Sequence, residues 1–272
     1  MFDKERFSVK FLSLVLSGLL FLTLQTGCEN NPDDDLGPIV DVEINFKAQF
    51  DDELLLMRKN YQLDDSTEIR FTRVSFYVSD VVLLKNINGE EEETDVFDLQ
   101  LVDFTDFTEV NPGNVADGIS FVGTNVPVDR YDGIKMGLGV PADLNRTSPA
   151  KYDSGHPLAS SLHYWQGWQS YMFAMIEGAI DFNGDGNFDS DENFLYHLGS
   201  DDAYESTFIY DTLTLEEGKN PTFEVKVDLR RLFRKTDGTP VFDASDKKTT
   251  HNPDDFAFIS QLMLYFSQVF SL

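Results

Sequence analysis

Cysteine is almost missing from this chain: Cys28 is its single cysteine in 272 residues. One thiol closes no intramolecular disulfide, so stability has to come from a packed core and from bound metal. Basic residues are scarce too, with 21 Lys and Arg against 48 Asp and Glu and a formal charge of -27. Such a surface repels phosphate backbones, which argues against nucleic acid as a partner and favours cations. Hydrolytic signatures are lacking: there is no Gly-x-Ser-x-Gly elbow, and no histidines stand at zinc-protease spacing. Carboxylates are too abundant for any one pair to stand out as acid and base, so no catalysis is expected. Apolar runs of membrane-spanning length are missing as well, because the segment from Phe11 to Leu24 falls short of the ~20 residues a spanning helix needs.

That segment follows Lys4, Arg6 and Lys10 and has the proportions of a secretory signal. It ends in Leu24-Gln25-Thr26-Gly27-Cys28, where the small Gly27 lets a lipoprotein signal peptidase reach the bond and frees Cys28 to receive diacylglycerol. Gln25 departs from the aliphatic residue usual at its place, and simple secretion is the alternative. Residues 1–27 are therefore read as a lipoprotein signal peptide, and residues 28–40 as an acidic tether rich in Asp, Pro and Gly. The acidic stretch resembles the surface-export signal of Bacteroidota lipoproteins; a solvated linker is the bland alternative. The expected location is the cell envelope, with the lipid in the outer membrane and the protein on its periplasmic or cell-surface face.

Residues 41–272 suffice for one domain. Short segments rich in Phe, Val, Ile, Leu and Tyr alternate with Asp, Asn, Gly and Pro, which predicts about ten strands. Val42 to Phe50 alternates apolar and polar residues, Phe71 to Leu84 is a long strand with a bend at Ser79-Asp80, and Asn88-Gly89 signals a hairpin. No βα alternation occurs, so the expected fold is all-β, a sandwich or barrel-like domain. At the C-terminus Ile259, Leu262, Met263, Phe266, Val269 and Phe270 recur at helical spacing after the cap Asn252-Pro253-Asp254-Asp255, predicting one amphipathic helix.

Residues 181–192 read Asp-Phe-Asn-Gly-Asp-Gly-Asn-Phe-Asp-Ser-Asp-Glu and match the twelve-residue calcium loop D-x-[DN]-x-[DN]-G-x5-E at every fixed position. Asp181, Asn183 and Asp185 would converge side-chain oxygens as the chain curls. Gly186 makes the turn, Asn187 offers its carbonyl, Asp189 acts directly or through water, and Glu192 closes the site with two oxygens. Phe188 stands where an apolar residue anchors such loops to the core. The flanks read as strands, so the expectation is a calcium-bound hairpin tip that replaces disulfides; the alternative is an ordinary acidic turn.

His163-Tyr164-Trp165-Gln166-Gly167-Trp168 gathers one of four histidines with both tryptophans. If the strands flanking the calcium loop pair, His197 lies across from the early part of the first one, near Trp168, and His163, His197 and an indole edge can share a site. The alternative is that these aromatics are core, with the histidines hydrogen-bonded nearby. His156 and His251 read as surface residues.

These segments resemble the MbnP-like copper-binding proteins, the soluble half of a pair completed by a di-haem peroxidase. The resemblance rests on Arg73 to Val81, Gly139 to Asn145, His156-Pro157-Leu158, Tyr164-Trp165 through Tyr171, Glu177-Gly178, His197 to Ser200 and Val225 to Leu229. It implies export and a β-sandwich-like fold. It also implies copper held by histidine together with a tryptophan that the haem partner oxidises to kynurenine. His197 matches the family's His-Leu-Gly position, and Trp165 or Trp168 its tryptophan pair. The family's histidine after Leu-Asn is Arg146 here, and His163 is the substitute ligand the sequence offers. A cell-surface scaffold or adhesion module that binds glycan through aromatics, with calcium but no copper, is the competing function.

Overall fold

The computed structural model describes residues 37–108, 115–250 and 253–272. Signal, lipidation site Cys28 and most of the tether lie outside the described residues. In chain order the strands are β1 (Ile39–Phe50), β2 (Glu53–Leu54), β3 (Asn60–Gln62), β4 (Glu68–Ile87), β5 (Glu90–Asp103), β6 (Ile119–Pro127) and β7 (Arg130–Leu138). They continue with β8 (Tyr164–Trp165), β9 (Ser170–Ile180), β10 (Asn193–Gly199), β11 (Glu205–Thr214), β12 (Thr222–Asp228) and β13 (Phe270–Ser271). Three α-helices accompany them: α1 (Ala142–Asn145), α2 (Arg230–Phe233) and α3 (Phe256–Phe266). No described helix is long and apolar enough to cross a membrane. β1 takes up Ile39 and Val40, which the composition had assigned to the tether.

Two sheets form, the smaller mixed and the larger antiparallel in every described strand pair, and among the described strands neither closes into a barrel. The smaller runs β13-β12-β1-β2 with β6 on β1; the larger runs β10-β9-β4-β7-β11, with β3, β5 and β8 attached at its sides. β1 shows why they pack face to face. Its even positions, Val40, Val42, Ile44, Phe46, Ala48 and Phe50, are all buried, the period-2 pattern of a strand with one face on a core. Phe46 meets Phe76 of β4 edge-on at 6.2 Å, and Phe50 meets Phe71 at 6.1 Å. The strand order holds one pairing that alternation cannot reveal: β1 and β12 run parallel, from Glu43 opposite Thr222 to Gln49 opposite Asp228.

Local chemistry fixes the turns. The β4–β5 hairpin turns at Asn88 and Gly89, whose φ values of 57° and 92° are the left-handed pair this tight turn requires. Asp80 has φ of 46°, and the β4–β7 register shifts between Ser79 and Val82, so the predicted bend is a bulge. The C-terminal helix ends at Phe266, earlier than its periodicity suggests. Phe270 instead enters β13 opposite Val227 and packs at 5.2 Å from Phe266 and 5.6 Å from Phe76. Pairing the open edge of β12 while burying an aromatic ring prevails over another helical turn.

β4 and β9, central in the larger sheet, are buried on both faces. One face meets the smaller sheet. The other is covered by the excursion from Pro141 to Gln169, held down where Tyr77 Oη donates to Pro157 O at 3.2 Å, Tyr171 Oη donates to Leu158 O at 3.0 Å, and Tyr171 N donates to Asn145 Oδ1 at 2.8 Å. That covered face carries the histidine and tryptophan residues.

Candidate metal centre

β9 and β10 pair across residues 181–192, from Asn193 opposite Ala179 to Leu198 opposite Ala174, so the twelve-residue motif is a hairpin tip. Its conformation follows from its side chains. Asp181 is 2 % exposed, and its carboxylate accepts from the backbone N–H of Gly184 at 2.8 Å, Asp185 at 3.2 Å and Gly186 at 2.8 Å. Asn183 Oδ1 accepts from Asp185 N, and Asp185 Oδ1 from Asn187 N, both at 2.8 Å. Gly184 and Gly186 take φ of 70° and 78°, so the curl needs glycine at both. Glu192, 5 % exposed, reaches back to accept from Phe182 N and Asp189 N, each at 3.0 Å. Two buried carboxylates thus face one curl, and no cation pairs with either among the described residues. Phe188 does not enter the core as expected; it lies half-buried beneath the Arg70 guanidinium, 4.2 Å from its ring centre.

The second cluster is assembled by register. His197 on β10 stands opposite Met175 on β9, which stands opposite Ser75 on β4. Cross-strand partners share a face, and this face is the covered one, because the alternate residues Phe194, Tyr196 and Leu198 are buried in the core. In the next row Glu177 stands between Arg73 and Leu195. His197 Nε2 donates to Glu177 Oε1 at 2.8 Å, and Arg73 Nε lies 3.4 Å from the same oxygen. The His197 hydrogen bond holds the Glu177 carboxyl below its usual range against the opposing effect of burial. An ionised carboxylate can only accept, so Nε2 is the donor in this contact.

Trp165 and Trp168 stack with ring centres 4.5 Å apart and planes 7° from parallel, and the Trp165 ring centre stands 6.1 Å from that of His197. Both indoles are half-buried. Phe256, the first residue of α3, braces Trp168 at 5.1 Å. Thr250, fully buried, grips His197 through its hydroxyl, accepting from His197 N at 2.8 Å and donating to His197 O at 2.9 Å. The same segment reaches the hairpin tip, where Lys248 Nζ donates to Asp191 O at 2.6 Å. His251, the residue after Thr250, lies outside the described residues.

His163 is arranged differently. It is 1 % exposed, and both ring nitrogens are engaged, Nε2 with Ser75 Oγ and Nδ1 with Ser160 Oγ, each at 2.9 Å. Burial pushes its pKa down to about 4. Ser75 and His197 are two strands apart, about 10 Å at ordinary sheet spacing, so the imidazoles flank Met175 and do not meet. His156 is exposed and stacks on Tyr152 at 4.2 Å. Among the described residues, no three His, Cys, Asp or Glu side chains gather as a ready-made metal cage.

The sequence profile of MbnP matches residues 40–252 of this chain. The chain belongs to the MbnP family. A solved structure of MbnP from Methylosinus trichosporium is similar at 16 % identity and a TM-score of 0.48, covering 71 % of this chain and 76 % of that one. No curated protein matches. In this MbnP-family chain, the segments that carried the resemblance fall on the strands just described: Arg73 to Val81 on β4, Glu177-Gly178 on β9 and His197-Leu198-Gly199 on β10. Arg146 is an exposed side chain 4.0 Å from Asp201. Sequence reasoning named Arg73 and Glu177 only as parts of the matching segments, with no role at the site, and assigned none to Met175 or Thr250. The parity of β9 against β10 could have found Met175 and Glu177, since pairing across residues 181–192 places both on the face of His197.

Proposed function

We propose that this MbnP-family protein is an exported, lipid-anchored copper-binding protein without catalysis of its own, and that a structural calcium ion occupies its hairpin tip. The observation that carries the copper reading is His197 fixed by Glu177 beside the stacked pair Trp165 and Trp168. A histidine whose far nitrogen is held by a carboxylate is the arrangement metal-ligating imidazoles commonly use. His197 through Nδ1 and Met175 through its thioether would hold the ion, and imidazole with thioether is a soft donor set that suits Cu(I). His163, bonded at both nitrogens, serves structure in this reading. Copper bound here would supply a one-electron redox centre. Trp165 is the tryptophan best placed for oxidation to kynurenine, and a di-haem peroxidase is the proposed partner, reaching the half-buried indoles from outside. Calcium in residues 181–192 is supported by Asp181 and Glu192, buried together without a neutralising cation; at ~mM extracellular calcium, a site of ~10⁻⁴ M stays filled.

Copper titration of the purified protein, with separate calcium and copper chelation and intact mass spectrometry, tests both parts. Copper at one equivalent that is lost in His197→Ala supports the reading. Calcium without copper favours the adhesive alternative. That second reading draws on Phe208 and Tyr210 of edge strand β11, whose rings lie 13° from parallel and are 45 % and 68 % exposed.

A further inference from the structure

The densest basic stretch of the domain runs from Arg230 to Lys235, where four of the 21 Lys and Arg residues fall within six positions. Two of the four have carboxylate partners: Arg230 with Asp51 at 3.2 Å, and Arg234 with Asp64 at 2.6 Å. Among the described residues, Arg231 and Lys235 have no ion pair. Together with Arg234 they line a cavity of about 220 Å³, with Thr236, Tyr265 and Gln268 on its walls and no carboxylate among its lining residues. Two acids outside the lining feel these cations without pairing with them: Asp228, near Arg231, accepts from Asp51 N and Arg230 N, and Asp237, near Lys235, accepts from the backbone and hydroxyl of Thr239.

In a chain of formal charge -27, cations left unpaired around one concavity are unusual. Like charges held side by side repel one another, and a bound anion relieves that repulsion. We propose that this cavity is a phosphate-binding site, taking inorganic phosphate or a phosphomonoester. The Arg231 guanidinium gives the fork that phosphate oxygens match, Lys235 adds a point charge, and Thr236, Tyr265 and Gln268 supply neutral polar groups at the rim. Arg234, bonded to Asp64 and to Phe233 O, lines the cavity as an already paired cation.

Leu229 N donates to Gln49 O at 2.9 Å, and Arg230 pairs with Asp51, so the cavity sits beside the end of β1. The 12 residues of β1 span about 36 Å, which puts the cavity at the far end of that strand from Ile39, where the N-terminal segment joins. The two sources, a soluble phosphate and a lipid headgroup, share the same chemistry and are separated by the test.

The test is calorimetric titration of inorganic phosphate into the full-length protein at low ionic strength with divalent ions chelated, beside flotation with phosphatidic acid and phosphatidylcholine vesicles. The expected result is saturable binding at one equivalent, weakened at least tenfold (about 1.4 kcal/mol) in the Arg231→Gln, Lys235→Gln double variant. Both side chains are exposed, so the melting temperature of that variant should stay within about 1 °C, close to neutral for surface changes. Binding to phosphatidic acid vesicles that the double variant loses would support the same site and assign its ligand to a lipid. No saturable binding in either arm up to ~10 mM phosphate, or binding that survives the double variant, would overturn the proposal.

Discussion

The hairpin tip and the His197 cluster are both candidate metal centres, built in opposite ways. Residues 181–192 form one contiguous curl whose side chains bond to backbone two to ten positions away within the same twelve residues. The cluster draws Ser75 from β4, Met175 and Glu177 from β9, and His197 from β10, with Trp165 laid over them by the covering excursion. A contiguous site keeps its geometry wherever its loop is placed. An assembled site depends on register, because a one-residue slip of β10 would turn His197 into the core and Tyr196 out. The two are joined by Lys248 and Thr250, two positions apart, which pin the hairpin tip and His197 to a single stretch of chain.

Substitutions can break this comparison from either side. The largest effect is expected for His197→Ala, which should abolish stoichiometric copper binding while leaving calcium-dependent stability intact; calorimetry with each metal reads the separation. Asp181→Ala removes the acceptor of three backbone N–H groups in a buried turn. It should cost about 3 kcal/mol in chemical denaturation and remove the thermal shift on adding calcium, with copper affinity nearly unchanged.

Acid titration should separate His163 from the metal sites. Because burial holds its pKa at about 4 against an ordinary value of 6.5, the unfolded chain takes up a proton that the folded one refuses. The stability this contributes is complete above pH 6.5, declines as pH falls, and levels off below about 4, for a total of about 3 kcal/mol. His163→Gln should flatten that limb and retain copper; loss of copper instead would move His163 into the ligand set. Glu177→Gln should do less, lowering copper affinity about 10- to 100-fold by releasing the His197 ring. Trp168→Phe is the mildest, costing under about 1.5 kcal/mol of packing, with copper still bound.

How much of this was legible before folding follows from the same contrast. The β1 alternation, the Asn88-Gly89 turn and the 181–192 motif could be read directly, since each rests on residues adjacent in sequence. The parallel pairing of β1 with β12 and the diversion of Phe270 into β13 could not, because both depend on which edge is open after the sheets form. Among the candidate residues, His197 stands beside Trp165, which stacks on Trp168. His163 was placed with them by proximity in sequence, but it is bonded to Ser75 and Ser160, and Ser75 lies two strands from His197. Arg73 and Glu177 lay in matching segments without an assigned role and Met175 in none, and the relevance of all three emerges from strand pairing.

The most direct test of the central claim, that His197 and the indoles beside it form a copper site, is metal content and intact mass of protein purified from its native envelope, beside His197→Ala. One copper per chain in the native protein and none in the variant is the expected result, with any kynurenine mass shift mapping to Trp165. Protein that carries calcium but no copper, and takes up none from a Cu(I) buffer, would contradict it.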